Sequence, residues 1–158
     1  MKTINSFNEL MKLASKGKMY IRWSRGPALD KKQRNSLDYS TYTAHNGLSA
    51  QRVYADRPKL AARMLVEYRF LRGKDSKIFG WVFYGEQIGT DSDGAPTVDA
   101  DSIVPVGRLS DDLVEMMVRF STAYGERYYW NPQNDSHHEH NARVEKEISE
   151  SWNALLNS

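Results

Sequence analysis

The sequence contains no cysteine among its 158 residues. This absence excludes disulfide bonds, thiolate metal sites and a cysteine nucleophile. A chain without cysteine also fits a reducing compartment. We therefore expect a cytoplasmic protein.

Long apolar runs are absent as well. The first ten residues, MKTINSFNEL, lack the apolar core of a signal peptide. No stretch approaches the roughly 18 apolar residues that a membrane-spanning helix requires. The sequence therefore predicts a soluble protein with no membrane partner.

The common catalytic and nucleotide-binding motifs are missing too. The sequence has no Walker A, G-x-G-x-x-G, G-x-S-x-G or H-E-x-x-H pattern. No cofactor is predicted, and the sequence leaves open whether the protein is an enzyme.

The composition is that of a globular domain. Apolar residues make up 40% of the chain, charged residues 27% and aromatic residues 11%, and so many aromatic residues argue against disorder. A chain of this length fits one ordinary domain. We expect a single domain over residues 1–158.

Helical and alternating patterns together predict an α+β fold, with a small central, mainly antiparallel sheet and about four flanking helices. The predicted helices cover residues 6–16, 57–72 and 111–125 and a last segment that begins at Ser136. Side-chain caps are predicted at Ser6, Ser110 and Ser136. The predicted strands cover residues 18–24, 47–54, 77–89 and 97–107, with an edge or a bulge at Pro105. The strand over residues 77–89 is apolar on both faces, which predicts a central position in the sheet. Residues 26–46 are polar and are predicted to form a long loop.

Charge is distributed unevenly along the chain. The net charge is only +2, but residues 1–75 carry 16 basic and 6 acidic residues, whereas residues 76–158 carry 6 basic and 14 acidic residues. This asymmetry can mark a basic binding face. It can equally mean that two oppositely charged halves attract each other within one fold.

The segment YIRWSRGP is the most informative part of the sequence. Arg22 is predicted on the polar face of its strand and Arg25 at the strand end, where Gly26 allows close backbone approach. Two guanidinium groups can fork around a phosphate or carboxylate, and Tyr20 or Trp23 can stack on a base. Alternatively, Trp23 belongs to the core and both arginines pair with acidic residues of the second half.

A second candidate segment is HNGLSAQRVY. Asn46 and Gly47 give a turn signal, Ser49 follows it, and Arg52 lies three residues further on. A serine beside an arginine-bearing strand can orient a ribose or a phosphate. The alternative is a turn followed by a solvent-facing serine.

No metal site is predicted. His137 and His140 can share one face of a helix, and His138 lies between them, but no clear third ligand is nearby. Asp91 and Asp93 begin like a calcium loop, yet Ser102 stands where that loop needs glutamate. A hairpin turn is the favoured interpretation of residues 91–96.

The order RWSRGP, DYS, GLSA, EYRFL, WVFYG and VPVGRLSDD resembles a small bacterial and phage family of unknown function, over residues 18–125. The resemblance implies a shared site around Arg22 to Pro27 and Gly47 to Ala50, but no activity. A weaker similarity, to the ADP-ribosyltransferase fold, places Arg22, Ser49 and Glu86 in the order of that fold's catalytic residues. The spacing around Glu86 departs from that pattern.

Three functions follow from these observations. The leading hypothesis is a binding protein for a small anionic ligand of nucleotide or phosphate type. The predicted site comprises Tyr20, Arg22, Trp23, Arg25, Gly26, Ser49 and Arg52. The alternatives are an inhibitor or adaptor that contacts a host protein, such as a phage counter-defence protein, and an ADP-ribosyltransferase-like enzyme that uses NAD. Nucleic acid is a possible but not a favoured partner, and the oligomeric state is open.

Overall fold

The structure is a computed structural model that describes residues 1–38, 43–44, 46–54, 68, 75–129 and 131–156. The predicted helix over residues 57–72 lies outside this part of the chain, apart from Tyr68, which is helical. Residues 39–42 and 45 of the predicted loop also lie outside it.

The described helices agree in part with the predicted ones. They are α1 (Phe7–Ala14), α2 (Pro27–Gln33), α3 (Asp111–Gly125) and α4 (Asp135–Leu156), with a short 3₁₀ turn at Ala100–Ser102. The strands are β1 (Lys2–Ile4), β2 (Met19–Ser24), β3 (Leu37–Asp38), β4 (Thr43–Ala44), β5 (Leu48–Ser49), β6 (Gln51–Val53), β7 (Phe79–Tyr84), β8 (Gln87–Thr90), β9 (Pro96–Val98) and β10 (Val104–Leu109).

The strands form a five-stranded sheet in the order β1-β10-β7-β2-β6, a three-stranded sheet in the order β5-β9-β8 and a β3-β4 pair. Every pairing is antiparallel except that of β1 with β10. The predicted α+β fold with a mainly antiparallel sheet is therefore confirmed. The register of β10 against β7 shifts between Pro105 and Gly107, so the bulge predicted at Pro105 is confirmed.

Both faces of the five-stranded sheet are covered. Met19, Ile21 and Trp23 of β2 pack into a cluster with residues of α1, α3 and α4. Tyr20, on the opposite face, packs with Trp81 and other residues beside the three-stranded sheet. The two faces predicted for β2 are therefore present, and the face that carries Tyr20 and Arg22 is largely buried as well. The central position predicted for β7 is confirmed.

Side-chain caps fix two of the helix starts as predicted. Ser6 accepts a hydrogen bond from the amide of Glu9, and Ser110 accepts one from Leu113, at 3.2 and 3.1 Å. The cap predicted for the last helix is wrong. Asn134 accepts the amide of His137 at 3.1 Å, and the helix begins one residue before Ser136.

The prediction of a long loop over residues 26–46 is also wrong. Pro27 opens α2, where its missing N–H costs nothing and its fixed φ suits a helix. The helix escapes pattern analysis because it buries Asp30, while Leu29 stays 53% exposed. A helix whose buried residue is polar shows no apolar periodicity.

Gly80 supports the close contact between β7 and β2. An added Cβ would lie 2.7 Å from Cη2 of Trp23 and 2.9 Å from Cδ1 of Leu109. We expect Gly80→Ala to lower the free energy of unfolding by about 1–3 kcal/mol, as for an overpacked core. The matched control is Gly125→Ala at the end of α3, where nothing lies within 4 Å of an added Cβ. Equal urea midpoints for the two variants would contradict this expectation and show that the neighbouring side chains move to accommodate the methyl group.

Candidate functional site

Arg22 lies at the centre of a buried polar network. Its Nε donates to Oδ2 of Asp30 at 2.9 Å, and its Nη2 reaches Oδ1 of the same carboxylate at 3.4 Å. Its Nη1 donates to the carbonyl of Ser49 at 2.6 Å and to Oγ of Ser36 at 3.2 Å. The side chains of Arg22 and Asp30 are only 13% and 6% exposed. Most donors of this guanidinium are thus directed at the protein's own groups.

Ser24 joins this network to the core. Its Oγ donates to Oδ2 of Asp30 at 2.5 Å and accepts hydrogen bonds from Nε1 of Trp81, at 2.9 Å, and from the amide of Gly26, at 3.2 Å. Gly26 has a φ of 120°, which disfavours any residue with a Cβ. Arg22, Ser24 and Gly26 of RWSRGP therefore hold β2, α2 and β7 together.

The GLSA segment belongs to the same network. Oγ of Ser36 accepts the amide of Ser49 at 2.6 Å, and Oδ1 of Asn35 accepts the amide of Gly47 at 2.9 Å. Arg22 contacts both Ser36 and Ser49, so the two segments that carry the sequence resemblance meet in space. Asn35, Ser36 and Arg22 thus bond to the backbone of Gly47 and Ser49.

Trp23 and Arg25 lie apart from this network. Trp23 is 5% exposed, with its ring 4.8 Å from that of Tyr68, as the core interpretation of this residue requires. Arg25 is exposed and pairs with Asp75 at 2.7 Å. The partners of the two arginines, Asp30 and Asp75, both belong to the first half of the chain, not to the acidic second half.

A cavity of about 460 Å³ opens at the other end of β2. Its walls come from the ends of β2 and β6, the turn between β7 and β8, and the start of β9. The lining residues are Lys18, Tyr20, Arg52, Tyr54, Gly85, Glu86, Gln87 and Pro96. Two of the seven predicted site residues, Tyr20 and Arg52, thus line this cavity.

Arg52 is held in place by aromatic rings and a backbone carbonyl. It stands opposite Tyr20 in the pairing of β6 with β2, and its Cζ lies 5.4 Å from the ring centre of Tyr20 and 5.2 Å from that of Tyr54. Its Nη1 donates to the carbonyl of Met19 at 2.9 Å. Within the described part of the chain, no carboxylate lies at salt-bridge distance from this half-buried guanidinium.

The other polar residues of the cavity are exposed to solvent. Lys18 precedes β2 and adds a second positive charge, whereas Glu86 and Gln87 lie at the β7–β8 turn. Burial raises the pKa of Tyr20, and the positive charge of Arg52 offsets part of that rise. The phenol therefore stays neutral near pH 7 and adds no negative charge beside Arg52.

Sequence reasoning missed five lining residues, Lys18, Tyr54, Gly85, Gln87 and Pro96. A usable signal existed for the first two, because alternate residues of a strand share a face. Lys18 lies two residues before Tyr20, and Tyr54 lies two residues after Arg52. Gln87 and Pro96 carried no such signal, since their position depends on how the second sheet packs.

The residues that resemble an ADP-ribosyltransferase set are divided between two places. Arg22 and Ser49 lie in the buried network, whereas Glu86 lines the cavity. The cavity lining includes neither Arg22 nor Ser49.

The histidines near the start of α4 make local contacts. The ring of His137 stacks on Tyr129 at 3.9 Å, and its Nδ1 accepts the amide of Gln133 at 3.2 Å. The Nε2 of His140 contacts the carbonyl of Arg127. Among the residues whose placement is described, no three His, Asp or Glu side chains gather as a metal site.

Comparison with protein-family models matches residues 1–131 to a family of unknown function, DUF6098. The match covers most of the chain, so the protein belongs to this family, and the expected membership in a family of unknown function is confirmed. No curated protein and no solved structure matches the chain. Over the described residues, no helix has both the length and the apolar character needed to cross a membrane.

Proposed function

We propose that this protein binds a small anionic ligand of phosphate type in the cavity between Lys18, Tyr20 and Arg52. The anion would be held chiefly by Arg52, with Lys18 supplying a second charge. Tyr20, Tyr54 and Pro96 would provide the apolar surface against which the rest of the ligand lies. Such a mixture of apolar walls and a few polar groups is typical of small-molecule sites.

The main support for this proposal is that Arg52 is half-buried and has no carboxylate partner among the described residues. Burying a guanidinium is costly unless it is paired, and Arg22, also partly buried, has its carboxylate in Asp30. Arg52 is half-buried at a cavity wall, and no described carboxylate pairs with it. An anionic ligand would supply the counter-charge that no described residue provides.

The setting of Arg52 also suits binding. Stacking on Tyr20 and Tyr54 and the bond to Met19 fix the guanidinium before any ligand arrives. A pre-ordered side chain loses little rotamer entropy on binding. Guanidinium groups hold phosphates by two parallel hydrogen bonds, which are stronger than neutral ones.

Substitution of Arg52 tests the proposal. We expect Arg52→Gln to weaken binding of ribose 5-phosphate at least tenfold, because a charge-assisted hydrogen bond contributes about 1.5–3 kcal/mol. Isothermal titration calorimetry measures this loss. The control is Arg143→Gln, which removes the same charge from an exposed position on α4. Equal affinity of both variants, or no binding by the unaltered protein, would contradict the proposal.

We further infer a cytoplasmic protein of bacterial or phage origin. The absence of cysteine supports a cytoplasmic location. The resemblance of RWSRGP and GLSA to a bacterial and phage family supports the origin.

In this proposal the segment RWSRGP contributes to binding indirectly. It anchors β2, and Tyr20 of the same strand forms part of the cavity wall.

A further inference from the structure

The cavity has a negative end as well as a positive one. Glu86 lines it together with Arg52 and Lys18, yet no ion pair joins Glu86 to either of them in the described part of the chain. A carboxylate only accepts hydrogen bonds. A purely anionic ligand would gain nothing from this group and would be repelled by it.

The position of Glu86 is fixed by its backbone. Its amide donates to Oγ of Ser102 at 2.9 Å, and its carbonyl accepts the amide of Asp99 at 2.9 Å. The preceding Gly85 is packed so closely that an added Cβ would lie 2.7 Å from Cγ1 of Val98. The turn therefore holds the backbone of Glu86 in a fixed position beside the cavity.

The two ends are separated by about two strand spacings. Arg52 lies on β6 and Glu86 lies two residues after the end of β7, with β2 between those strands. Adjacent strands lie about 4.8 Å apart. Arg52 is in register with Tyr20 and Phe83, and Glu86 lies three residues beyond Phe83, so the two backbone positions are more than about 10 Å apart. A ligand that contacts both must be longer than inorganic phosphate.

We propose that the cavity takes a phosphomonoester of nucleoside monophosphate size whose far end carries N–H donors, and that Glu86 determines this specificity. This inference rests on the proposed function, since Arg52 would hold the phosphate. Guanine presents two adjacent N–H donors along one edge, which match the two oxygens of a carboxylate. Adenine presents one amino group beside an acceptor nitrogen, which a carboxylate repels.

The separation of the two ends favours the base over the sugar. In a nucleoside 5′-monophosphate the edge of the base lies farther from the phosphate than the ribose hydroxyls do. Glu86 therefore selects the base, and the protein prefers guanosine 5′-monophosphate to ribose 5-phosphate.

Calorimetric titration with these two compounds tests the inference. We expect the unaltered protein to bind guanosine 5′-monophosphate at least tenfold more tightly than ribose 5-phosphate. Glu86→Gln should remove most of that difference, because the neutral amide offers the guanine edge one acceptor instead of two and loses the charge assistance. Affinity for ribose 5-phosphate should not fall, because the substitution removes a charge that repels the phosphate. Glu126→Gln, which neutralises an exposed carboxylate outside the cavity, should change neither affinity.

The outcomes separate this inference from the proposed function. If both compounds bind equally well through Arg52, or if Glu86→Gln weakens both alike, the role assigned to Glu86 is wrong while the anion site stands. If neither compound binds in a manner that depends on Arg52, both proposals fail together.

Discussion

Asp30→Asn is expected to lower the free energy of unfolding by about 3 kcal/mol, the lower end of the range for breaking a buried ion pair. The substitution keeps the shape of the side chain but removes the charge that faces Arg22. The guanidinium then remains 13% exposed without a counter-charge. Ser24, which donates to the same carboxylate oxygen, also loses its charged acceptor.

Chemical denaturation followed by circular dichroism measures this loss. Asp101→Asn is the matched control, because Asp101 pairs with Arg34 where both side chains are more than half exposed. Solvent screens such a pair, so its removal should leave the denaturation midpoint near that of the unaltered protein. Arg22→Met combined with Asp30→Asn should cost less than the sum of the two single changes. Strict additivity would mean that the pair does not act as a unit.

Trp81→Ala is expected to have the largest effect on stability, about 3–5 kcal/mol. Trp81 is fully buried at the centre of the sheet, with its ring 4.7 Å from that of Phe83. Its removal leaves a cavity between the two sheets. It also leaves the Oγ of Ser24 without the hydrogen bond from Nε1.

Trp81→Phe separates these two causes. Phenylalanine restores most of the buried volume but not the donor, so it should recover more than half of the loss. Ile88→Ala serves as the control for a large apolar residue at the surface, since Ile88 is 44% exposed. Urea denaturation curves of the three variants provide the comparison. A Trp81→Phe variant no more stable than Trp81→Ala would show that the hydrogen bond, not the packing, matters most.

Much of the fold could be predicted from local patterns. The caps at Ser6 and Ser110, the two-sided apolar strand β7 and the bulge at Pro105 all follow from rules that act within a few residues. The helix α2 could not be found this way, because its one buried residue is Asp30 and its burial depends on Arg22. The covered face of β2 depends on the second sheet, whose packing no local pattern encodes.

The same difference between local patterns and long-range packing explains how much of the candidate site could be predicted. Arginine beside glycine and proline suggests an anion site near Arg22, but Asp30, which pairs with Arg22, lies in a segment predicted as a loop. The sequence also makes Arg52 a candidate, yet its difference from Arg22 is visible only in three dimensions. Asp30 pairs with Arg22, whereas no described carboxylate pairs with Arg52.

The location of the ligand is the central claim, and amide chemical shifts test it most directly. Ribose 5-phosphate titrated into ¹⁵N-labelled protein should shift the signals of Lys18, Tyr20 and Glu86 and the Nε–H of Arg52. The signals of Gly26 and Ser49, in the buried network around Arg22, should stay in place. The largest shifts at Arg25 and Gly26, with none at the cavity, would contradict this account and place the site on the RWSRGP turn.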